Sequence, residues 1–224
     1  MSRASDRAYD LIRDMILSGE LPSGAKLGEE ALADQCGVSR TPIREALSRL
    51  EAELLIRRND TQRSFVADWS LEDVEEMFEL RGLLESRAAR RAARRITLCQ
   101  IERMRMHNNA LRDAISTRAP DTQGFLENNH QFHGIILEAS GSAQLTNMLA
   151  RIVERPIVRR TVMNFTFEDL QRSVHEHNEL LAAFEQHDPA WAESVIVSHI
   201  RRGFHAYANA HIGQRIPDTL QAAE

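Results

Sequence analysis

Gly37-Val38-Ser39-Arg40-Thr41-Pro42-Ile43-Arg44-Glu45-Ala46-Leu47-Ser48-Arg49-Leu50-Glu51 is the stretch whose reading decides the fold. Ser39 or Thr41 caps a predicted helix, and Pro42 falls in its first turn, where a missing backbone N–H costs no intrahelical bond. Ile43, Ala46, Leu47, Leu50 and Leu54 recur at helical spacing and make the face to be buried. Arg40, Arg44 and Ser48 are four apart and share a different face. That face begins at the helix N-terminus, where the second helix of a helix-turn-helix meets bases and phosphates. Arg49, nearer the back, reads as a phosphate contact or an exposed charge.

Working outward, Glu29–Cys36 is a short amphipathic segment ended by Gly37, the residue that a tight helix-to-helix turn favours. Downstream, Arg57-Arg58-Asn59-Asp60-Thr61-Gln62-Arg63-Ser64-Phe65-Val66 is a polar turn between two short strand-forming runs, which predicts a hairpin wing carrying Arg63. The alternative is a small helical hairpin whose arginines are merely solvated. Taken as a set, Leu21-Pro22-Ser23-Gly24 with Leu27, Leu32-Ala33, Val38-Ser39-Arg40-Thr41-Pro42, Arg44-Glu45-Ala46-Leu47 and Leu50-Glu51 resemble the GntR family of winged helix-turn-helix transcription regulators. Leu54 and Ser64 depart from that pattern, since each stands where the family usually has glycine. The departures bear on the backbone path of the wing, and leave the reading helix untouched.

The chain has 224 residues, 42% hydrophobic and 27% charged, with few aromatics, glycines and prolines, a composition that favours helices over strands. No apolar run is long enough to span a bilayer, and Met1-Ser2-Arg3-Ala4-Ser5-Asp6 lacks the apolar core of a signal peptide, so a cytoplasmic location without membrane contact is expected. Two cysteines, Cys36 and Cys99, in separate predicted helices fit a reducing compartment and read as small core or boundary residues. The net charge of −5 is unhelpful to a nucleic-acid binder taken as a whole. Charge can nevertheless be local: Arg40, Arg44, Arg49, Arg57, Arg58 and Arg63 crowd the reading edge, so binding to DNA should be salt-sensitive and sequence-specific.

A first helix is predicted over about Ser5 to Ser18, with Ala8, Leu11, Ile12, Met15 and Ile16 inward and Gly19 ending it. Ser70 and Asp73 form a capping-box start after Val66-Ala67-Asp68-Trp69, which places a domain boundary between residues 1–68 and 69–224. Beyond it, helix start signals recur at Thr97 with Gln100, Asp121 or Thr122 after Pro120, Ser142 after Gly141, Thr166 with Asp169, and Asp188 before Pro189. They predict about six helices, enough to pack as a bundle around an interior site. The fold class that follows is mainly α: an N-terminal winged helix-turn-helix followed by an all-α helical bundle, which the resemblance given below makes an effector-binding domain.

The informative residues of the bundle are polar ones on apolar faces. Leu71, Val74, Phe78, Arg81, Leu84 and Ala88 follow three-and-four spacing, so Arg81 points inward and needs an anion. Either Glu85, one turn on, or the carboxylate of a bound ligand held bidentately can supply it. Leu126, Asn129, His133, Ile136 and Ser140 form another stripe. His177 shares one with Val174, Leu181 and Phe184, and His199 one with Val195 or Ile196 and Gly203. Three inward imidazoles on three helices are suited to zinc or a similar divalent ion; each alone also reads as a hydrogen-bonded core histidine. His130, His175 and His187 read as exposed.

This half resembles the all-helical FCD effector domain of the FadR-type branch of the same family, on Asn129-His130-Gln131-Phe132-His133, Glu176-His177, Ser198-His199-Ile200 and Leu80-Arg81-Gly82-Leu83-Leu84-Glu85. The resemblance implies a metal held by Asn129, His133, His177 and His199, with Asn129 in a place often held by Asp. That neutral oxygen is a weaker donor, which should reduce affinity and alter which metal is kept: zinc is expected, with nickel and manganese as alternatives. It also implies a small organic acid reaching the metal and Arg81, with Arg155 and Arg159 as weaker candidates to line the same cavity. A homodimer that binds double-stranded operator DNA as a repressor completes the expectation.

Two other readings stand beside it. In one, the metal is itself the effector, against which an interior Arg81 argues. In the other, the chain is a metal-dependent hydrolase. Against that stand the absence of an H-E-x-x-H spacing and of an obvious inward acidic base beside His133, so no catalytic residue and no enzyme activity are expected.

Overall fold

The structure is a computed structural model, and it describes residues 3–53, 55–117, 120–153 and 161–220. Three positions raised by the sequence, Leu54, Arg155 and Arg159, lie outside them. The architecture is mainly helical, with one small sheet, and the chain divides into two compact units, the first running to Ser70 and the second starting at Leu71. The division falls just past Trp69 because Val66 and Ala67 are still buried against the sheet, Ala67 donating its N–H to the carbonyl of Leu55.

In the first unit, α1 (Arg3–Ser18), α2 (Glu29–Cys36) and α3 (Arg40–Ala52) pack beside strands β1 (Lys26–Leu27), β2 (Ile56–Arg58) and β3 (Ser64–Val66). The sheet is antiparallel in the order β1-β3-β2, pairing Leu27 with Ser64 and Arg57 with Phe65. Ala8, Ile12 and Ile16 of α1 meet Ile43, Ala46, Leu47 and Leu50 of α3, all at most 1% exposed. Leu11 departs from expectation: it is 39% exposed, because one residue of rotation from Ile12 already leaves the narrow stripe that faces α3.

The turn between α2 and α3 is made by Gly37, whose φ of 65° lies in the left-handed region where a Cβ is unfavourable. Ser39 occupies the N-cap position of α3 with extended backbone, but its hydroxyl makes no capping bond. At the wing, the left-handed position falls on Gln62 (φ 59°), while Ser64 is a buried member of β3. The Asn59 side chain closes this turn, its Oδ1 accepting from the backbone N–H groups of Thr61 and Arg63.

The second unit contains α4 (Leu71–Ala92), α5 (Leu98–Ala114), α6 (Thr122–Ser140), α7 (Ala143–Val153), α8 (Phe167–Glu185) and α9 (Pro189–Leu220). Thr97 with Gln100 and Thr166 with Asp169 close full capping boxes, and Asp121 caps α6 through the Gly124 N–H. Asp188 accepts from the N–H groups of Ala190 and Trp191, leaving Pro189 where no donor is needed. α4 packs on α6, α7 and α9, α5 on α6 and α8, and α8 on α9. Small residues on α4, Ala88, Ala89 and Ala92, let the bulkier Phe132, Ile136, Leu181 and Phe184 close around them. Cys36 is buried, as a core cysteine should be, whereas Cys99 is exposed in the first turn of α5. Among the described residues no helix is long and apolar enough to cross a membrane.

Candidate metal centre and nucleic-acid interface

His133 comes from α6, His177 from α8 and His199 from α9, and one ring nitrogen of each lies within 4.8 Å of the others. Their ring centroids are 5.0–5.3 Å apart. Packing rather than spacing alone makes them converge: α6, α8 and α9 each turn an apolar stripe inward, and the histidine is the polar member of each.

Two of the imidazoles are fixed by a carboxylate and the third by stacking. Nδ1 of His133 lies 3.1 Å from Glu85 Oε2, and Nδ1 of His199 lies 2.7 Å from Glu176 Oε2. A carboxylate on Nδ1 fixes that nitrogen as the protonated one, leaving Nε2 with a free lone pair. His177 has no carboxylate. Its ring stacks on Phe132 at 4.0 Å with an interplanar angle of 8°, is fully buried, and neither nitrogen has a hydrogen-bond partner among the described residues. Nε2 of His133 is buried and unpartnered as well. Orphaned buried donors or acceptors cost about 1–3 kcal/mol each. Several converging on one point fit a cation that would take up their lone pairs. Asn129 stands one turn before His133 on α6 and is half-buried.

Burial pushes the protonation of His133 and His177 below the ordinary imidazole range; for His177 the neighbouring His199 and His133 add to the effect. Both are therefore neutral at neutral pH, the form that ligates a metal. Glu85 behaves oppositely. Burial raises its pKa, but the Arg81 charge and the hydrogen bond with His133 outweigh that and hold it at about 2. Arg81 Nε donates to Glu85 Oε1 at 2.9 Å, and both side chains are 8% exposed. Of the two anions considered for Arg81, the structure supplies Glu85. An acidic side chain does therefore sit beside His133, contrary to expectation, but a carboxylate held at about 2 and clamped by a guanidinium is a poor general base.

Next to His199 opens a cavity of about 450 Å³ whose lining includes Asn164, Arg172, Glu176, Arg202 and Asn209. Arg202 pairs with Glu176, so a cation stands beside the orienting carboxylate of His199. Sequence reasoning missed Arg202; its only signal was a place three residues after His199, on the same side of α9. Arg81 is not part of this lining.

In the first unit Ser39, Arg40, Thr41, Arg44 and Ser48 are all exposed on α3, and Arg63 is exposed at the wing. Arg40 and Arg44 both contact Glu29 Oε2 of α2, at 3.2 and 2.8 Å. Ser48 accepts from Arg58 of the wing at 3.2 Å, and Arg58 also pairs with Glu51. These contacts tie α2, α3 and β2 along one edge. Arg49 is placed apart from them: its guanidinium lies 3.9 Å from the Tyr9 ring centroid and 2.8 Å from Asp6, both on α1. Tyr9 is correspondingly hard to ionise, pushed up to about 12 by burial and by its bond to Glu53. Glu29 belongs to this edge and was not legible in the sequence, since it acts across a turn, whereas Arg58 was expected there but its pairing with Ser48 and Glu51 was not.

A family model described as FCD domain matches residues 76–202, and one described as bacterial regulatory proteins, gntR family, matches residues 4–66. The chain is 28% identical to the HTH-type transcriptional regulator LutR of Bacillus subtilis over 83% of its own length and 93% of that protein. It is 27% identical to a probable D-xylose utilization operon transcriptional repressor of Paenarthrobacter nicotinovorans, over 98% of this chain and 94% of that one. The solved structure of Escherichia coli McbR/YncC superposes with a TM-score of 0.77 at 21% identity, covering 94% of this chain and all of that one, a likeness of fold.

Proposed function

This chain belongs to the gntR family of bacterial regulatory proteins and carries an FCD domain, and from that premise we propose a metal-containing, carboxylate-responsive repressor that acts as a homodimer on operator DNA. The regulators of this family bind DNA and are not enzymes. The observation that carries the metal reading is the convergence of three imidazoles, two of which, His133 and His177, hold buried nitrogens with no partner among the described residues. His133, His177 and His199, with the amide oxygen of Asn129, would hold the ion. Zinc suits imidazole-rich sites on rigid helices, with nickel or manganese as the ions a neutral fourth donor also admits. A bound ion of this kind supplies open positions to an anionic oxygen.

The cavity beside His199 offers a small organic acid a path to those positions, and Arg202 and Arg172 at its wall complement a carboxylate. Arg81 joins an effector only by exchanging Glu85 for it, which releases Glu85 from one of its two partners. Effector binding that favours one arrangement of the dimer changes the placement of the two reading helices, and paired half-sites penalise misplacement. The unit boundary proposed for function is that of residues 1–68 and 69–224, the reading unit and the sensing unit.

One observation favours the second reading, in which the metal alone is the signal. Arg81 clamps the carboxylate that orients His133, so an interior arginine no longer argues against a metal sensor. A thermal-shift screen separates the two: sugar acids and short-chain carboxylates, each with and without zinc. A shift from an acid only when metal is present supports the carboxylate reading; a shift from metal that no acid increases supports the second.

The DNA-facing set is Ser39, Arg40, Thr41, Arg44, Ser48 and Arg63; Arg49 is engaged with α1 and is expected to contribute little. Arg44→Ala is expected to weaken operator binding by about 1–3 kcal/mol without loss of helix content, measured by fluorescence anisotropy and circular dichroism. Unchanged binding would remove Arg44 from the interface.

A further inference from the structure

The outward face of α4 carries two large apolar side chains, Leu80 at 44% and Leu83 at 69% exposure. Gly82 beside them has nothing within 4 Å of where a Cβ would stand, so no described residue covers this point. Charge along the same face reverses about Leu83. Glu76 and Glu79 lie seven and four residues before it; Arg87 and Arg90 lie four and seven residues after it. Spacings of four and seven keep all of them on one side of a helix. Glu76 and Arg87 have no ion-pair partner among the described residues. Glu79 lies 3.7 Å from Arg201, and Arg90 pairs with Glu193 at 2.6 Å while still 37% exposed.

A stripe whose charges are inverted about its own midpoint is complementary to itself when run antiparallel. From its leucine centre and its charge order we infer that α4 is the docking surface for α4 of a second copy, across a two-fold axis at Leu83. The symmetry requires that residue i of one copy meet residue j of the other while j meets i. Leu83 then faces Leu83, Glu79 faces Arg87, and Glu76 faces Arg90, each charge pair occurring twice. A parallel arrangement would set acid against acid and base against base. The inference rests on the homodimer of the proposed function and supplies it with a face; it is independent of metal and effector.

Analytical ultracentrifugation of the full-length chain tests it. Arg87→Glu and Glu79→Arg each place two like-charged pairs in the interface, and each is expected to raise the dimer dissociation constant by about tenfold or more. The double variant Glu79→Arg/Arg87→Glu restores both pairs in reversed sense and is expected to return to within about threefold of the starting value. That rescue also guards against a trivial folding defect, because the double variant carries both substitutions. Leu83→Asp, with the helix content checked by circular dichroism, is expected to give monomer. A chain that is monomeric at every concentration overturns both the dimer and this face. A dimer unaffected by the single charge reversals, or singles not rescued by the double, overturns the face alone.

Discussion

Zinc added to the metal-free protein is expected to raise the unfolding free energy of the helical unit by roughly 4 kcal/mol when free metal stands at about a thousand times its dissociation constant. His177→Ala is expected to abolish that gain. The reasoning is local: His177 is the member of the trio whose nitrogens have no hydrogen-bond partner among the described residues, fully buried against Phe132, so they bring the most to a cation and receive the least without one. Comparing each variant with and without metal cancels whatever the substitution does to the metal-free fold. Elemental analysis and thermal unfolding are the measurements. Neither metal retention nor a shift with zinc, nickel or manganese would return the three residues to the role of core histidines.

The second large effect concerns Glu85. Its removal strands the Arg81 guanidinium at 7% exposure and frees the ring of His133, so Glu85→Ala is expected to destabilise the helical unit by about 3–5 kcal/mol in urea unfolding. Replacing both Arg81 and Glu85 with leucine should cost far less, because no charge is left buried. Acid offers an independent check. The carboxyl of Glu85, lowered to about 2 in the folded chain from an ordinary 4.5, contributes stability that is present above 4.5 and lost as the pH falls towards 2. His133 and His177 are lowered too, so the unfolded chain takes up their protons first. Their stability is full above about 6.5 and declines as the pH drops below it. Both contributions slope the same way: the imidazole loss starts near pH 6.5 and the Glu85 carboxyl adds to it below 4.5, the added part missing in Glu85→Ala. A flat profile from pH 7 to 4 would contradict the neutral imidazoles.

What could be read from the sequence followed from short-range pattern. Thr97 with Gln100 and Thr166 with Asp169 are caps written within four residues, and Ile43, Ala46, Leu47 and Leu50 repeat with the helix itself. Three histidines on three apolar stripes could be picked out because each stripe is local, and packing then brought the stripes together. The partners that set their chemistry were harder. Glu85 reaches His133 across 48 positions and Glu176 reaches His199 across 23, distances at which no periodicity carries information. Arg81 was ambiguous between Glu85 and a ligand for the same reason: an i, i+4 neighbour permits a pair without requiring it. At the wing, the turn type was decided by the side chain of Asn59, which moved the left-handed position to Gln62 and let Ser64 join the strand.

Glu29 has one more consequence. By holding Arg40 and Arg44 on a single carboxylate oxygen, it hands the two cations an internal substitute for a phosphate before any nucleic acid arrives. On the proposed DNA-facing set, an arbitrary stretch of duplex would first have to dislodge that substitute, whereas a correct site would repay the exchange through contacts to base edges as well. With the DNA-facing set proposed above, an acidic side chain one helix away is expected to shorten the time spent on the wrong sequence, in a chain whose net charge is −5.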